Sequence, residues 1–297
     1  MTVVIENGAM SSSLPLSLSQ RKIGKIHSRF RHSFNICFED ELVNINIMEN
    51  QLSSFGINIE KDLMSILLDD LKEDDLVNMD RNQLVLFPTF GEVYEINLGR
   101  LQIIDLALEA ILPTPGRLSL LTDLFSPREY LDHSGLPLHQ GIENHLYRLS
   151  EIPGQTAEFA EELKYFVGRG KGLTPSGDDL LMGYFLIEKL FHGSSTLLDS
   201  LMRFIQHHTT AISVAYLRSL KDGFISQYYQ EFCQAVDHQD LPTLRNTIEK
   251  IKTIGSTSGY DSLLGMSIAL GKTEAGNLFP PRFVNTYFPY LSHFDSL

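Results

Sequence analysis

The sequence predicts an α+β protein: a β-rich N-terminal half followed by a mainly helical C-terminal half with two buried, pseudo-repeated helices. Three observations carry this. Apolar residues recur with period two from Lys22 to Leu101. Pro113-Thr-Pro115-Gly116 then breaks the chain. Beyond it the period is that of an amphipathic helix.

The first 20 residues, polar and Ser-rich, read as a flexible tail. A β-rich domain is expected over 21–112. Its strands are the alternating runs Phe34-Ile36-Phe38 and Val43-Ile45-Ile47, then Leu84 to Phe87 and Val93 to Leu98. Asp80-Arg81-Asn82 reads as a hairpin turn. One helix intrudes near 60–71, with Leu63, Ile66 and Leu67 on one face. A helical domain is expected over 117–297. Its helices fall near 117–131, 138–150, 155–167, 177–191, 197–207, 210–221, 225–237, 241–253 and 259–271. Leu180 to Leu186 and Leu263 to Leu270 are apolar almost all round, as central helices are. Gly183 and Gly265 sit at matching positions in them. A mid-helix glycine costs about 1 kcal/mol against alanine. A close crossing of the two helices is the reason expected for keeping both.

The 297 residues carry 24 Lys plus Arg against 37 Asp plus Glu, a net charge of −13. That balance argues against a nucleic-acid partner, which calls for a basic stripe. Arg169 and Lys171 still allow a locally positive pocket. The two cysteines, Cys37 and Cys233, form no C-x-x-C pair, so neither a disulfide framework nor a zinc cage is expected. The N-terminus lacks the basic and apolar regions of a secretion signal. No run approaches the ~18 apolar residues of a membrane helix. A soluble cytoplasmic protein is the expectation.

The chemistry-bearing pattern is a repeat. Ser176 to Gly183 reads S-G-D-D-L-L-M-G and Ser258 to Gly265 reads S-G-Y-D-S-L-L-G. Both fit S-G-x-D-x-L-x-G. Each follows a Gly and a Thr (Gly172 and Thr174, Gly255 and Thr257) and opens an apolar helix. Two readings stand side by side. In one, Ser176 with Asp179 and Ser258 with Asp261 are capping boxes, and the acidic first turns answer the helix dipoles. In the other, the two turns hold a small anion between two helix N-termini. The stretch from Gly168 to Asp179 favours the second. An ordinary cap does not need four glycines, a threonine and two cations. The candidate anion-binding residues are Lys171, Gly172, Thr174, Ser176, Gly177, Asp178, Asp179, Thr210, Ser258, Gly259 and Asp261. Asp179 and Asp261 would orient the loops by capping. No catalytic side chain is identified. No cofactor or metal is expected, although Asp178 is a candidate magnesium ligand through water.

Other motifs are rejected. Gly265 to Thr273 has five residues between its glycines, where a phosphate loop has four, and it ends a helix rather than following a strand. Gly271 reads instead as a C-cap, with Lys272 near the dipole's negative end. His133, His139 and His145 recur every six residues, which is not metal spacing, and read as solvated. Thr209 or Thr210 is a plausible N-cap, with His208 and Thr210 as weaker site candidates. Ser213, Tyr216 and Arg218 follow on that helix, whose bland reading is an amphipathic face. No G-x-S-x-G elbow occurs, and Ser176 has no sequence-visible base.

Gly172-Leu-Thr-Pro-Ser-Gly-Asp-Asp179, then Thr210-x-x-Ser213-x-x-Tyr216-Leu-Arg218, then Gly255-Ser-Thr-Ser-Gly-Tyr-Asp261 resemble the AllH-like family. The motifs cover roughly the C-terminal 130 residues. The resemblance implies one subunit of a three-component oxamate carbamoyltransferase of allantoin and purine breakdown. It implies partner subunits, and carbamoyl phosphate with oxamate exchanging with N-carbamoyl-2-oxoglycine and phosphate. It does not say which subunit performs the chemistry. The alternative is a non-catalytic small-anion-binding or regulatory protein.

Overall fold

The computed structural model describes residues 2–14, 22–80, 82–137, 140–152 and 156–272. It has a β-rich N-terminal half and a helical C-terminal half. The chain divides into two compact units: Met1–Ala107 with Gly223–Gln230, and Leu108–Asp222 with Glu231–Leu297.

The first unit is a ten-stranded sheet in the order β1-β9-β8-β7-β3-β4-β5-β6-β2-β10. The strands are β1 Thr2–Ile5, β2 Gly8–Ser11, β3 Lys22–Arg29, β4 Ser33–Phe38, β5 Glu41–Ile47, β6 Gly56–Ile59, β7 Leu76–Asp80, β8 Gln83–Phe87, β9 Val93–Asn97 and β10 Gln102–Ile104. β3 to β5 form an antiparallel meander, whereas β1–β9, β5–β6 and β2–β10 pair parallel. One helix, α1 Lys61–Asp70, lies between β6 and β7. Its buried residues are Met64 and Leu67; Ile66, expected inside, is 51% exposed. The core joins Phe34, Ile36, Ile45, Ile57, Leu67, Leu86 and Ile96.

The expected flexible tail is corrected over residues 2–14; residues 15–20 lie outside the described residues. Residues 2–5 and 8–11 are strands, and Ile5, Met10 and Leu14 are buried. Their partners, β9 and β6, lie far away in sequence, so no local pattern announces them. β7 and β8 form the expected hairpin, with Asp80 opposite Gln83, although Arg81 lies outside the described residues. The segment 223–230 also belongs to this unit. Phe224 bridges Ala107, Ile225 N–H donates to Leu106 O at 3.0 Å, and Gln227 N–H donates to Leu52 O at 2.9 Å.

The second unit contains α2 Pro115–Leu124, α3 Pro127–Asp132, α4 Gln140–Glu151, α5 Ala157–Phe166, α6 Ser176–His192, α7 Thr196–His208, α8 Ala211–Lys221, α10 Leu241–Lys252 and α11 Ser258–Leu270. The helix between α8 and α10, α9 Gln227–His238, starts in the first unit and continues here. The single helix expected over 117–131 is two helices. Pro127 excludes α-helical geometry at Ser126, which has φ −121° and ψ 77°.

α6 and α11 are the central helices. Leu180, Leu181, Phe185, Leu186 and Ile187 on α6, with Leu263, Met266 and Leu270 on α11, are almost wholly buried. They cross through their glycines, as expected. A Cβ on Gly183 would lie 1.9 Å from Ser262 O, and one on Gly265 would lie 1.9 Å from Leu180 O. Each glycine meets the other helix's backbone, so the crossing has approximate two-fold symmetry.

Candidate functional site

The same symmetry governs the turns that start α6 and α11. Gly177 packs on Phe166 O at the end of α5, and Gly259 packs on Ile251 O near the end of α10. An added Cβ would approach to 2.0 and 1.9 Å. Gly177 N–H donates to Arg169 O at 2.7 Å, and Gly259 N–H to Ile254 O at 3.1 Å. Each turn is thus a copy of the other, folded back on the helix before it.

This geometry brings the motifs together. Thr174 Oγ1 and Ser258 Oγ lie 3.2 Å apart, within hydrogen-bond reach. Asp179 receives hydrogen bonds from Ser258 and Thr174, and Asp261 receives them from Ser176. Each aspartate therefore takes the serine of the opposite motif. The capping-box reading is corrected. Pro175 and Thr257 are the N-caps, neither with a side-chain cap bond, and Ser176 and Ser258 are already helical. A carboxyl that reaches across the crossing ties two helices; a capping carboxyl serves only its own.

The three aspartates have different surroundings. Asp178 is a staple. Its Oδ1 accepts from Gly168 N–H at 2.8 Å and its Oδ2 accepts from Thr209 Oγ1, fixing the α5–α6 loop to the α7–α8 junction. Both oxygens of the candidate magnesium ligand are thus engaged by the protein. Asp261 is fully buried. Its Oδ1 accepts from Ser134 Oγ and from Gly135 N–H at 3.1 Å, and its Oδ2 has no partner among the described residues. Asp179 is half-buried, yet its Oδ2 is inaccessible and likewise unpartnered. Burial raises all three carboxyls above the usual range. Asp179 rises furthest, because the charges of Asp261 and Asp178 add to its burial.

The remaining candidates divide by depth. Ser176, Gly177 and Gly259 are buried; Thr174, Thr210 and Ser258 are half-buried. Lys171 and Gly172 are exposed. Thr210 is the N-cap of α8, accepting from Ser213 N–H at 3.1 Å while donating to Leu173 O at 2.5 Å. It joins the α5–α6 loop to α8. Gly170 needs its glycine: φ is +123°, and a Cβ would lie 2.6 Å from Ser176 N. Of the two cations beside the first turn, Lys171 is exposed and Arg169 is held by its own helix. The Arg169 guanidinium lies over the Tyr165 ring at 3.8 Å, and its Nε donates to Tyr165 O at 2.9 Å.

Several expectations outside the motifs are corrected. His145 is half-buried rather than fully solvated. It stacks on Tyr165, and its Nδ1 meets the buried Glu162, which also pairs with Arg148 Nε at 2.7 Å. His133 is exposed and stacks on Tyr260; His139 lies outside the described residues. His208 is exposed, with its Nδ1 2.7 Å from Phe204 O of its own helix. Gly271 is the C-cap of α11, as expected, and keeps right-handed geometry, φ −63°. Lys272 reaches the end of α4 rather than its own helix, donating to Ser150 O at 2.7 Å and to Ile152 O. Sequence reasoning missed Ser134 and Gly135, whose only signal is their small size. In the sequence Tyr216 reads only as part of a helix face. Burial and the Asp179 charge push its phenol up to about 12.

Two family models match the chain. Residues 166–270 match AllH, described as oxamate carbamoyltransferase subunit AllH, and residues 7–102 match the AllH family N-terminal domain. The chain belongs to the AllH family. The AllH match spans α6, α8 and α11, so it contains both S-G-x-D turns and the Thr210 cap. No solved structure matches the chain. Among the described residues, no helix is long and apolar enough to cross a membrane. No group of three His, Cys, Asp or Glu among them is placed to hold a metal ion.

Proposed function

We propose that this AllH-family chain serves in a carbamoyl-transferring complex by holding a small anionic substrate where the two S-G-x-D turns meet. The observation that carries the reading is the 3.2 Å approach of Thr174 to Ser258, from turns 84 residues apart. It puts two hydroxyls of the half-buried surface side by side at two helix N-termini, where dipoles favour negative charge.

The means of binding we read differs from the backbone cradle expected. Amides of Gly177, Asp178, Asp179, Gly259 and Asp261 already donate to protein carbonyls. The contacts would then come from Lys171 on the exposed loop and from the Thr174 and Ser258 hydroxyls turned from Asp179 toward the guest. Carbamoyl phosphate, phosphate, oxamate and N-carbamoyl-2-oxoglycine are all small anions of the kind such a site takes. Ser176, buried and paired with Asp261, is read as a structural hydroxyl. Transfer of a carbamoyl group then rests on placement and on charge stabilisation, with partner subunits completing the site.

The test is turnover of the complex reconstituted with Ser258→Ala or Lys171→Ala. A hydrogen bond to a charged group contributes about 1.5–3 kcal/mol. Turnover should fall roughly tenfold or more while the melting temperature is kept. Turnover near wild type in both variants rejects the assignment. Anion binding at this site with turnover indifferent to the chain would favour the regulatory alternative.

A further inference from the structure

The ten-stranded sheet treats its outer face in two opposite ways. Strand pairing sets Asn35 beside Asn44, Asn46 beside Asn58 and Asn58 beside Ala9, on the face away from the Phe34, Ile36 and Ile45 core. This half is polar, yet Asn35, Asn44, Asn58 and Ser11 are buried. Hydrogen bonds satisfy it under its cover. Asn44 Nδ2 donates to Asn35 Oδ1 at 2.9 Å, Asn58 Nδ2 to Asn50 O at 2.9 Å and Ser11 Oγ to Ser54 O at 2.6 Å. The same face continues through Cys37 and Lys25 onto β7, β8, β9 and β1. There it is apolar and bare. Ile23 is 72% exposed, Leu76 52%, Val4 51% and Phe87 42%, with Val85 and Val93 half-buried. A monomer covers the apolar half of such a face and wets the polar half; this sheet does the reverse.

Strand register fixes the pattern of the bare half. One row reads Val4, Glu95, Val85, Asn78 and Ile23 across β1, β9, β8, β7 and β3. It is apolar at both ends and in the middle, and polar between. One polar member accepts hydrogen bonds and the other carries an amide donor. The neighbouring row has Phe87 on β8, Val93 and Leu76 on the strands to either side, and Thr2 and Lys25 outside them. Both rows are thus palindromic in character about β8. Lys25 and Glu95 are their only charged residues and cancel. Two copies can meet here without the local repulsion that a net charge of −13 would otherwise bring.

We infer that this bare half-face docks a second copy of the chain, sheet on sheet, about a two-fold axis running along β8. The axis sets β1 of one copy over β3 of the other and β9 over β7. Val4 then packs on Ile23 of the second copy, Val93 packs on its Leu76, and Glu95 accepts from its Asn78 amide. Val85 and Phe87 meet their own counterparts. A different protein would impose no two-fold pattern on the surface it covers. The size fits as well. The six apolar side chains expose about 400 Å² together, a patch of the size that marks an interaction site. Two copies bury it twice, about 800 Å² of apolar area. With a polar rim the total reaches the range of a stable interface, about 1,200–2,000 Å².

Sedimentation equilibrium of the full chain reads the state without a variant. The wild type should be a dimer at about ten micromolar. Val85→Lys and Val85→Glu each set a charge against its own copy on the axis. Each should raise the dimer dissociation constant about a hundredfold or more, with the circular dichroism spectrum kept. Mixed one to one, the two variants should dimerise again, because the axis then brings opposite charges face to face. Ile23→Glu changes the most exposed of the six side chains, so it serves where a Val85 variant misfolds, and it should weaken the dimer about tenfold or more. Ile66→Glu, 51% exposed on α1, should leave the dimer intact. A monomeric wild type overturns the inference, whatever else covers the face. A dimer that survives both Val85→Lys and Ile23→Glu lies on another surface and overturns it equally. A mixture of folded Val85 variants that stays monomeric rejects the two-fold axis.

Discussion

Replacing Gly183 by alanine tests the crossing on which the site depends. The new methyl would sit 1.9 Å from Ser262 O, 2.7 Å from its carbonyl carbon and 3.0 Å from its Cα. Ordinary contact begins near 3.4 Å, so α6 and α11 must part by about 1.5 Å. The obstacle is helix backbone, which has no rotamer to change. Overpacking of this kind costs about 3 kcal/mol or more. Alanine recovers about 1 kcal/mol of helix propensity. The net loss is about 2 kcal/mol, a fall of roughly 4–8 °C in the melting temperature of a unit this size. Parting the helices also draws Thr174 away from Ser258, so phosphate binding should weaken with stability. Gly265→Ala should behave alike. The double variant should cost less than the sum, because one separation makes room for both methyls. Gly271→Ala is the control. Its φ is −63° and its nearest new contact is an ordinary 3.4 Å, so it should melt at or slightly above wild type. Scanning calorimetry gives all four values. A Gly183→Ala protein that melts at or above wild type would refute the close crossing and the site built on it.

Two further outcomes follow from the same chemistry. A carboxyl raised in the folded state keeps its proton after the unfolded chain has lost one, so stability falls as pH rises from about 4 towards the folded-state value. One retained proton gives a slope of about 1.4 kcal/mol per pH unit. Urea unfolding should therefore show a shallower decline for Asp179→Asn than for wild type, and equal slopes would remove Asp179 as the source. Glu162 is 8% exposed at its side chain and is shared by His145 and Arg148, whereas Glu158 is 62% exposed. Glu162→Gln should cost about 1–3 kcal/mol and Glu158→Ala under about 1 kcal/mol; a reversed order in thermal melts would contradict the assigned burial.

Much of the helical unit was legible because its information is local. The 3.6-residue spacing marks α6, α7, α10 and α11 to within a residue or two. The repeated S-G-x-D-x-L-x-G string singles out α6 and α11 as a pair. The unread parts depend on distant partners or on one residue's veto. β1 and β2 are short, and they become strands only because β9 and β6 offer free edges. Pro127 overrides an unbroken helical pattern. Residues 223–230, which look like the approach to a helix, take their backbone partners from Leu52 and Leu106.

The sequence by itself determined that there are two matching turns, two buried helices with glycines in register, and an acidic chain with the signature of the AllH family. These are properties of spacing and composition, and spacing survives without folding. Which serine meets which aspartate was decided only by the tertiary structure. The crossing at Gly183 and Gly265 exchanges the partners between the motifs, and Ser134 and Gly135 then bind one aspartate and leave the other. Two residues equivalent in the sequence are made chemically different because the field at a buried carboxyl is set by whatever the fold packs against it.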